Sequence, residues 1–213
     1  MAKFRSIRFG CLCCIALGSA ATLQAVEFDE VTREQAALER ESLATGKSHS
    51  QSPGIAKFRQ TAKTVRYPSG EYQLPGYLYL PEGAGPFAAI VWNHGSEKDP
   101  KAQPELARFY TQQGYVFFVP IRHGHAGAPG PYVGNLQDEL RDKEHDPAQI
   151  KAKIVGLHEL YNLDVVAAVE WLKQQPQVDS RRLVMSGVSY GGIQTLLSAE
   201  KGLGIRAFVP FAP

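Results

Sequence analysis

The stretch Gly187-Val-Ser-Tyr-Gly191, with a further glycine at position 192, places the hydroxyl of Ser189 among three residues that have no side chain. A β-rich apolar run (RLVMSG) precedes it and a helix-like run (IQTLLSAE) follows it. Glycine loses more backbone entropy on folding than any other residue, so three glycines together indicate a turn in which a Cβ would clash. A phosphate-binding loop or an ordinary tight turn is the alternative. The strand before and the helix after favour a sharp strand-to-helix turn that exposes Ser189.

Short β-rich runs recur over the last two thirds of the chain, and helical patterns separate the later ones. The runs are TVRYPS, YQLPGYLYLP, FAAIVWNHG, YVFFVPIR, RLVMSG and RAFVPFAP. The last four are almost continuously apolar, which is typical of strands buried on both faces of a parallel sheet. Helical stripes of apolar residues start at Leu106, Tyr161 and Ile193. The alternation predicts an α/β fold, in which helices cover both faces of a mostly parallel sheet that begins with an antiparallel hairpin.

The segment of residues 127–157 is polar and long for a plain connection. Connections of this length in a compact domain usually carry function. Because ligands bind such sheets at the carboxyl ends of the strands, we expect this segment to be an insertion over that edge.

The first 25 residues predict export. Three basic residues precede an apolar run (FGCLCCIALG) and then small residues (SAATLQA), with cleavage expected after Ala21 or Ala25. A permanent membrane anchor is the alternative, but the apolar run is short for one. We therefore expect a signal peptide over residues 1–25, an N-terminal helix and polar linker over residues 26–62, and an α/β domain over residues 63–213. The mature protein would be periplasmic or secreted, without a stable membrane anchor.

Removal of the signal peptide excludes several classes of partner and chemistry. It takes away three of the 23 basic residues and none of the 21 acidic ones, which changes the formal net charge from +2 to about −1. No basic stripe remains that would bind nucleic acid. All three cysteines leave as well, so the exported chain has no disulfide, no cysteine nucleophile and no thiolate metal site.

The sequence resembles the α/β-hydrolase superfamily, and within it the dienelactone hydrolases and the prolyl-oligopeptidase-like serine hydrolases. The resemblance runs from about Val65 to Pro213 and rests on four pieces in a fixed order. They are LYLPEGAGPFAAIVWNHG, GYVFFVPIRHGHAG, DVVAAVEWLKQQPQVDSRRLVMSGVSYGG and FVPFAP. Each piece alone is a weak signal, but the ordered set is specific for the fold and less specific for the substrate. The resemblance implies an α/β-hydrolase fold with strands one to six, incomplete at its C-terminal end.

The resemblance also implies a set of site residues. Ser189 matches the nucleophile, and the backbone N–H of Tyr190 matches one donor of the oxyanion hole. The second donor belongs to the loop after the third strand (NHGS), at Gly95 or Ser96. The residues that support the turn and the loop are Gly187, Gly191, Gly192 and His94. No metal and no organic cofactor is implied.

Five further side chains offer alternative roles. His94 is a possible base, although in the resembled family this histidine orients the loop. His123 and His125 have the spacing of metal ligands, but they coincide with an Arg- and Gly-rich turn of the family. Asp164 lies at the polar edge of a helical stripe, and Asp179 is expected to cap a turn or to pair with Arg182. Both aspartates precede Ser189, whereas the family order is serine, aspartate, histidine.

No histidine follows Ser189 in these 213 residues. The resemblance therefore implies either a longer hydrolase whose triad Asp and His lie beyond Pro213, with the 213 residues alone inactive, or a non-catalytic binding protein. The first hypothesis describes an exported serine hydrolase that cleaves carboxylic esters by acyl transfer. Its partner is a small-molecule ester or a peptide-like substrate. Peptide cleavage is the alternative, but related peptidases often carry a large N-terminal propeller, for which residues 26–62 leave no room.

Overall fold

The structure is a computed structural model that describes residues 62–213. The predicted signal peptide and nearly all of the predicted N-terminal helix and linker lie outside the described residues. The predicted α/β domain lies within them.

Six strands within residues 62–213 form one mixed sheet, in the order β1-β2-β4-β3-β5-β6. The strands are β1 (Lys63–Ser69), β2 (Tyr72–Tyr79), β3 (Phe87–Asn93), β4 (Val116–Pro120), β5 (Val178–Val188) and β6 (Ala207–Phe211). β1 pairs antiparallel with β2, and β2 pairs antiparallel with β4. β4, β3, β5 and β6 are parallel to one another. The hairpin-like start and the parallel remainder confirm the predicted sheet.

Burial along the strands follows their sequence patterns. All five residues of β4 are buried, as are the last five of β3, and these two strands lie in the middle of the sheet. β1 alternates exposed and buried residues because only one of its faces meets the core. The continuous apolar run of β4 thus lies in a central strand and the alternation of β1 in an outer one, whereas β6 is apolar in sequence but lies at the edge of the sheet and is partly exposed.

Four helices occur in the described part of the chain: α1 (Pro104–Gln112), α2 (Val133–Lys143), α3 (Pro147–Lys173) and α4 (Tyr190–Ala199). α3 begins well before the predicted apolar stripe at Tyr161. Its start is set by Asp146, whose side chain accepts a hydrogen bond from the backbone N–H of Ala148 at 2.9 Å, and by Pro147 in the first turn. None of the helices in residues 62–213 is long and apolar enough to cross a membrane.

The segment of residues 127–157, predicted to be an insertion, contains α2 and the first turns of α3. Val133 of α2 packs with Tyr161 and Tyr190 in a small apolar cluster separate from the main core. Tyr190 directly follows Ser189. The segment therefore packs against the start of α4, beside the predicted site.

Candidate active site

Ser189 lies at the junction of β5 and α4 with a strained backbone. Its φ is 53° and its ψ is −123°. A positive φ is uncommon for a residue with a side chain, and such conformations cost about 1–3 kcal/mol. The backbone N–H of Ser189 donates to the carbonyl oxygen of Phe211 at 2.9 Å, and its own carbonyl accepts from Gly192 N–H at 2.8 Å. Hydrogen bonds on both sides thus hold the strained residue, which is exposed at the surface.

The glycines around Ser189 are required because backbone atoms surround them closely. A Cβ on Gly187 would lie 2.5 Å from the carbonyl oxygen of Gly191. A Cβ on Gly191 would overlap the carbonyl of Asn93 and would lie 2.6 Å from that of His94. Backbone atoms cannot step aside as the end of a flexible side chain can. The start of α4 is therefore packed directly against the end of β3.

Three backbone N–H groups near Ser189 are free to bind an anion. They belong to Gly95, Ser96 and Tyr190, and none donates a backbone hydrogen bond within residues 62–213. Tyr190 is the first residue of α4, where a helix leaves its N–H groups without intrahelical partners and carries a partial positive charge. Gly95 lies against the turn, since a Cβ built on it would be 3.6 Å from the carbonyl oxygen of Val188. Such donors suit an oxyanion.

His94 is fully buried, and both of its ring nitrogens have partners. Nε2 accepts from the backbone N–H of Arg122 at 3.3 Å, so the ring proton lies on Nδ1, which donates to the carbonyl oxygen of Gly95 at 2.9 Å. Burial, followed by the charge of Arg122, lowers the pKa of His94 well below its usual value. The neutral ring thus joins the loop after β3 to the end of β4, and neither nitrogen bonds Ser189.

The sequence predicted Asp164 at the polar edge of a helical stripe. This prediction is wrong, because Asp164 is buried in the structure. Its Oδ1 accepts from Ser69 Oγ at 2.6 Å, and its Oδ2 lies 2.6 Å from His123 Nδ1 and accepts from His123 N–H at 2.8 Å. These partners come from β1 and from the turn after β4, so no pattern within α3 indicates the burial. Asp164 fixes that turn. Asp179, in contrast, pairs with Arg182 as predicted, at 3.0 Å, and also with Arg181.

The two histidines with ligand-like spacing do not form a metal site in the described residues. Nδ1 of His123 is hydrogen-bonded to Oδ2 of Asp164, whereas Nδ1 of His125 lies 2.8 Å from the carbonyl oxygen of Glu97. No group of three or more metal-binding side chains occurs in residues 62–213. Burial lowers the pKa of His125 to about 4, so the ring is neutral at neutral pH.

Two residues near the site were not predicted from the sequence. Tyr132, just before α2, donates from its hydroxyl to the carbonyl oxygen of Ser96 at 2.6 Å. Arg122 is fully buried and donates to the same loop. A signal for Arg122 existed, since a charged residue that follows a continuously apolar run (YVFFVPI) lies near the edge of the sheet where ligands bind.

His94 and His125, whose pKa values are lowered by burial, predict a loss of stability in acid. A histidine whose pKa is lower in the folded than in the unfolded chain takes up its proton only on unfolding. The contribution of each neutral histidine to the free energy of unfolding is thus fully present above the pKa of the unfolded chain, about 6.5. It declines as the pH falls toward the pKa of the folded protein, by up to about 1.4 kcal/mol per pH unit for each group.

Urea unfolding at several pH values between about 4.5 and 6.5 measures this decline. We expect a His125→Gln variant to have a smaller slope than the wild type. An unfolding free energy that is constant over this range, or an unchanged slope in the variant, would contradict the prediction.

The strand order, the parallel centre of the sheet and the strained serine between β5 and α4 define the fold of the α/β-hydrolase superfamily. The chain has this fold, and the resemblance predicted from its sequence is confirmed. A family model for the prolyl oligopeptidase family matches residues 161–204, which include Ser189 and the glycines around it. A search of curated proteins finds no significant match.

Solved structures with this fold include hydrolases of different specificity. The dienelactone hydrolase-like promiscuous phosphotriesterase P91, from metagenomic libraries, is 22% identical and has a TM-score of 0.53 over 72% of this chain and 61% of its own. DcsB, solved with a substrate analogue, is 21% identical, with a TM-score of 0.51 over 69% of this chain and 43% of its own. The acylaminoacyl peptidase of Pyrococcus horikoshii is 18% identical, with a TM-score of 0.50 over 72% of this chain and 24% of its own. This chain thus spans less than two thirds of each of these neighbours.

Proposed function

We propose that the protein is an exported serine hydrolase that cleaves carboxylic esters by acyl transfer through Ser189. The observation that carries this proposal is the strained, exposed Ser189 at the junction of β5 and α4, beside three free N–H groups. Strain of this kind persists only where the surrounding structure enforces it, and it is concentrated at functional sites. A purely structural turn would not need a hydroxyl in that conformation.

The proposed reaction follows from the groups around the serine. Ser189 Oγ attacks the ester carbonyl, and a C–O bond forms while the carbonyl oxygen becomes negative. The N–H of Tyr190, with that of Gly95 or Ser96, holds this oxygen. The serine proton passes to a histidine. The carbonyl then re-forms as the bond between the acyl carbon and the leaving oxygen breaks, and the histidine gives the proton to that oxygen. Water attacks the acyl-enzyme in the same way and releases the acid and the free serine.

The histidine and aspartate of this triad are proposed to come from residues beyond position 213. No hydrogen bond within residues 62–213 involves the hydroxyl of Ser189, and the nearby His94 is engaged elsewhere. The superfamily order of serine, aspartate and histidine supports the same assignment. Neither His94 nor the aspartates that precede Ser189 are assigned a role in the triad.

Peptide hydrolysis is the second candidate, because the matching family model is that of the prolyl oligopeptidase family. The complete protein can be assayed with a 4-nitrophenyl ester and with the 4-nitroanilide of the same acyl group. We expect kcat/KM for the ester to exceed that for the anilide by at least about 100-fold, a difference of about 2.7 kcal/mol in transition-state stabilisation. A larger kcat/KM for the anilide would favour the peptidase, and hydrolysis of neither compound would contradict the proposal.

Export is a separate part of the proposal and rests on the form of residues 1–25. A fusion of residues 1–30 to a reporter enzyme that matures only outside the cytoplasm should become active, since a basic start and an apolar core are the features that export machinery reads. A matched fusion with the three basic residues and the apolar core replaced by polar residues is the control. An inactive reporter that is retained in the cytoplasm would argue against export.

A further inference from the structure

Arg122 lies two residues after the end of β4 and is fully buried. A buried guanidinium usually pairs with a carboxylate, because removing a lone charge from water costs several kcal/mol. No ion pair within residues 62–213 involves Arg122, and its Nε and Nη1 atoms have no hydrogen-bond partner there. Burial lowers the pKa of Arg122 to about 10, so it stays charged at neutral pH. The fold thus holds a buried positive charge that makes no ion pair within residues 62–213, although the nearby carboxylates of Asp164 and Glu97 favour the charged form.

The guanidinium of Arg122 contacts the loop after β3. Its Nη2 atom donates to the carbonyl oxygen of His94 at 2.8 Å and to that of Gly95 at 2.7 Å. In a trans peptide, the carbonyl and the N–H of the following residue point to opposite sides. Because both carbonyls face Arg122, the N–H groups of Gly95 and Ser96 face away from it. These are the candidate oxyanion donors of the loop.

The same guanidinium also contacts the residue that carries the other donor. Its Cζ atom lies 4.9 Å from the ring centroid of Tyr190, a cation–π contact. Arg122 itself is fixed by its neighbour Ile121, whose carbonyl accepts from Tyr67 at 2.8 Å and whose N–H donates to Pro75 at 3.0 Å. The side chain of Arg122 therefore touches both halves of the candidate oxyanion hole.

We propose that Arg122 is a positioning residue for the reaction proposed at Ser189: its guanidinium orients the peptides of the loop after β3 and the ring of Tyr190 so that their N–H groups converge on the oxyanion. The inference rests on the proposed function. The buried charge also favours the negative charge that develops on the substrate, because attraction is stronger in an interior of low dielectric. Arg122 acts through the backbone of Gly95, Ser96 and Tyr190 and does not touch the substrate.

Kinetics of two variants of the complete protein test this role. Arg122→Met keeps an unbranched apolar stem and removes the charge and the donors, so we expect kcat to fall by about 100-fold while KM changes by less than about threefold. Arg122→Lys keeps a charge and a donor and should recover part of kcat. Its activity should fall as the pH rises toward 9, because burial lowers the pKa of an amine by several units, whereas wild-type activity stays constant there. Arg182→Met, at an exposed arginine, is the matched control.

A crystal structure of Arg122→Met tests the same inference without an activity measurement. We expect the Gly95–Ser96 peptide to rotate from its wild-type orientation, and an unchanged peptide would overturn the inference. If Arg122→Met does not fold, Arg122→Lys tests the inference instead. A folded Arg122→Lys variant with wild-type kcat and a wild-type pH profile would overturn the inference. Failure of the proposed function gives a different pattern, in which Ser189→Ala hydrolyses esters as fast as the wild type.

Discussion

Replacing Ser189 with alanine in the complete protein is expected to lower kcat for ester hydrolysis by at least about 10³-fold. The hydroxyl is the only group proposed to form a bond with the substrate, whereas the N–H groups of Gly95, Ser96 and Tyr190 remain and retain a small residual rate. The hydroxyl makes no hydrogen bond within residues 62–213, so its loss should leave the unfolding midpoint nearly unchanged. Hydrolysis rates with a 4-nitrophenyl ester and thermal unfolding together measure both effects.

Ser180→Ala is the matched control for this experiment, because Ser180 is an exposed serine on the same strand, β5. It should keep wild-type kcat and KM. Retained turnover in Ser189→Ala would exclude Ser189 as the nucleophile. A large loss in Ser180→Ala would show that the assay responds to changes in the strand and not to the hydroxyl.

Replacing Gly191 with valine is expected to destabilise the fold by at least about 4 kcal/mol, a large share of the about 5–15 kcal/mol that typical domains have. A Cβ at this position would overlap the backbone carbonyl of Asn93 and crowd that of His94. Relief of the clash requires α4 to move away from β3, which separates Tyr190 from the loop that faces it. Urea unfolding and soluble yield measure the destabilisation.

Gly156→Val provides the same substitution where there is room for it. Gly156 lies in α3, and a Cβ added there meets nothing within 4 Å. We expect this variant to fold and to hydrolyse esters like the wild type. If Gly191→Val is as stable and active as Gly156→Val, the start of α4 does not pack tightly against the end of β3.

The turn at Ser189 could be predicted from the sequence because its constraints are local. Three glycines within six residues, between an apolar strand and a helix, specify a close approach of backbone without any knowledge of the partner. The mostly parallel sheet could be predicted in the same way, since continuous apolar runs separated by helical patterns leave few arrangements for the chain.

The surroundings of the turn could not be predicted, because they depend on contacts between distant residues. Asp164 has the sequence context of a helix surface, and only Ser69 and His123, from other elements, make its burial favourable. The carbonyls that accept hydrogen bonds from Arg122 lie 27 and 28 positions away, in the loop after β3. Side-chain patterns report the periodicity of an element, whereas a buried polar contact between elements leaves no periodic signal.

We propose that Ser189 is a nucleophile that its place in this fold activates. Labelling of the complete protein with a fluorophosphonate probe, followed by mass spectrometry of the digested protein, tests it most directly, since such probes form a stable bond only with an activated serine. We predict one modified peptide, with the probe on Ser189, and loss of ester hydrolysis in proportion to labelling. Labelling of a different residue, or full ester hydrolysis by a protein in which Ser189 stays unmodified, would contradict the account.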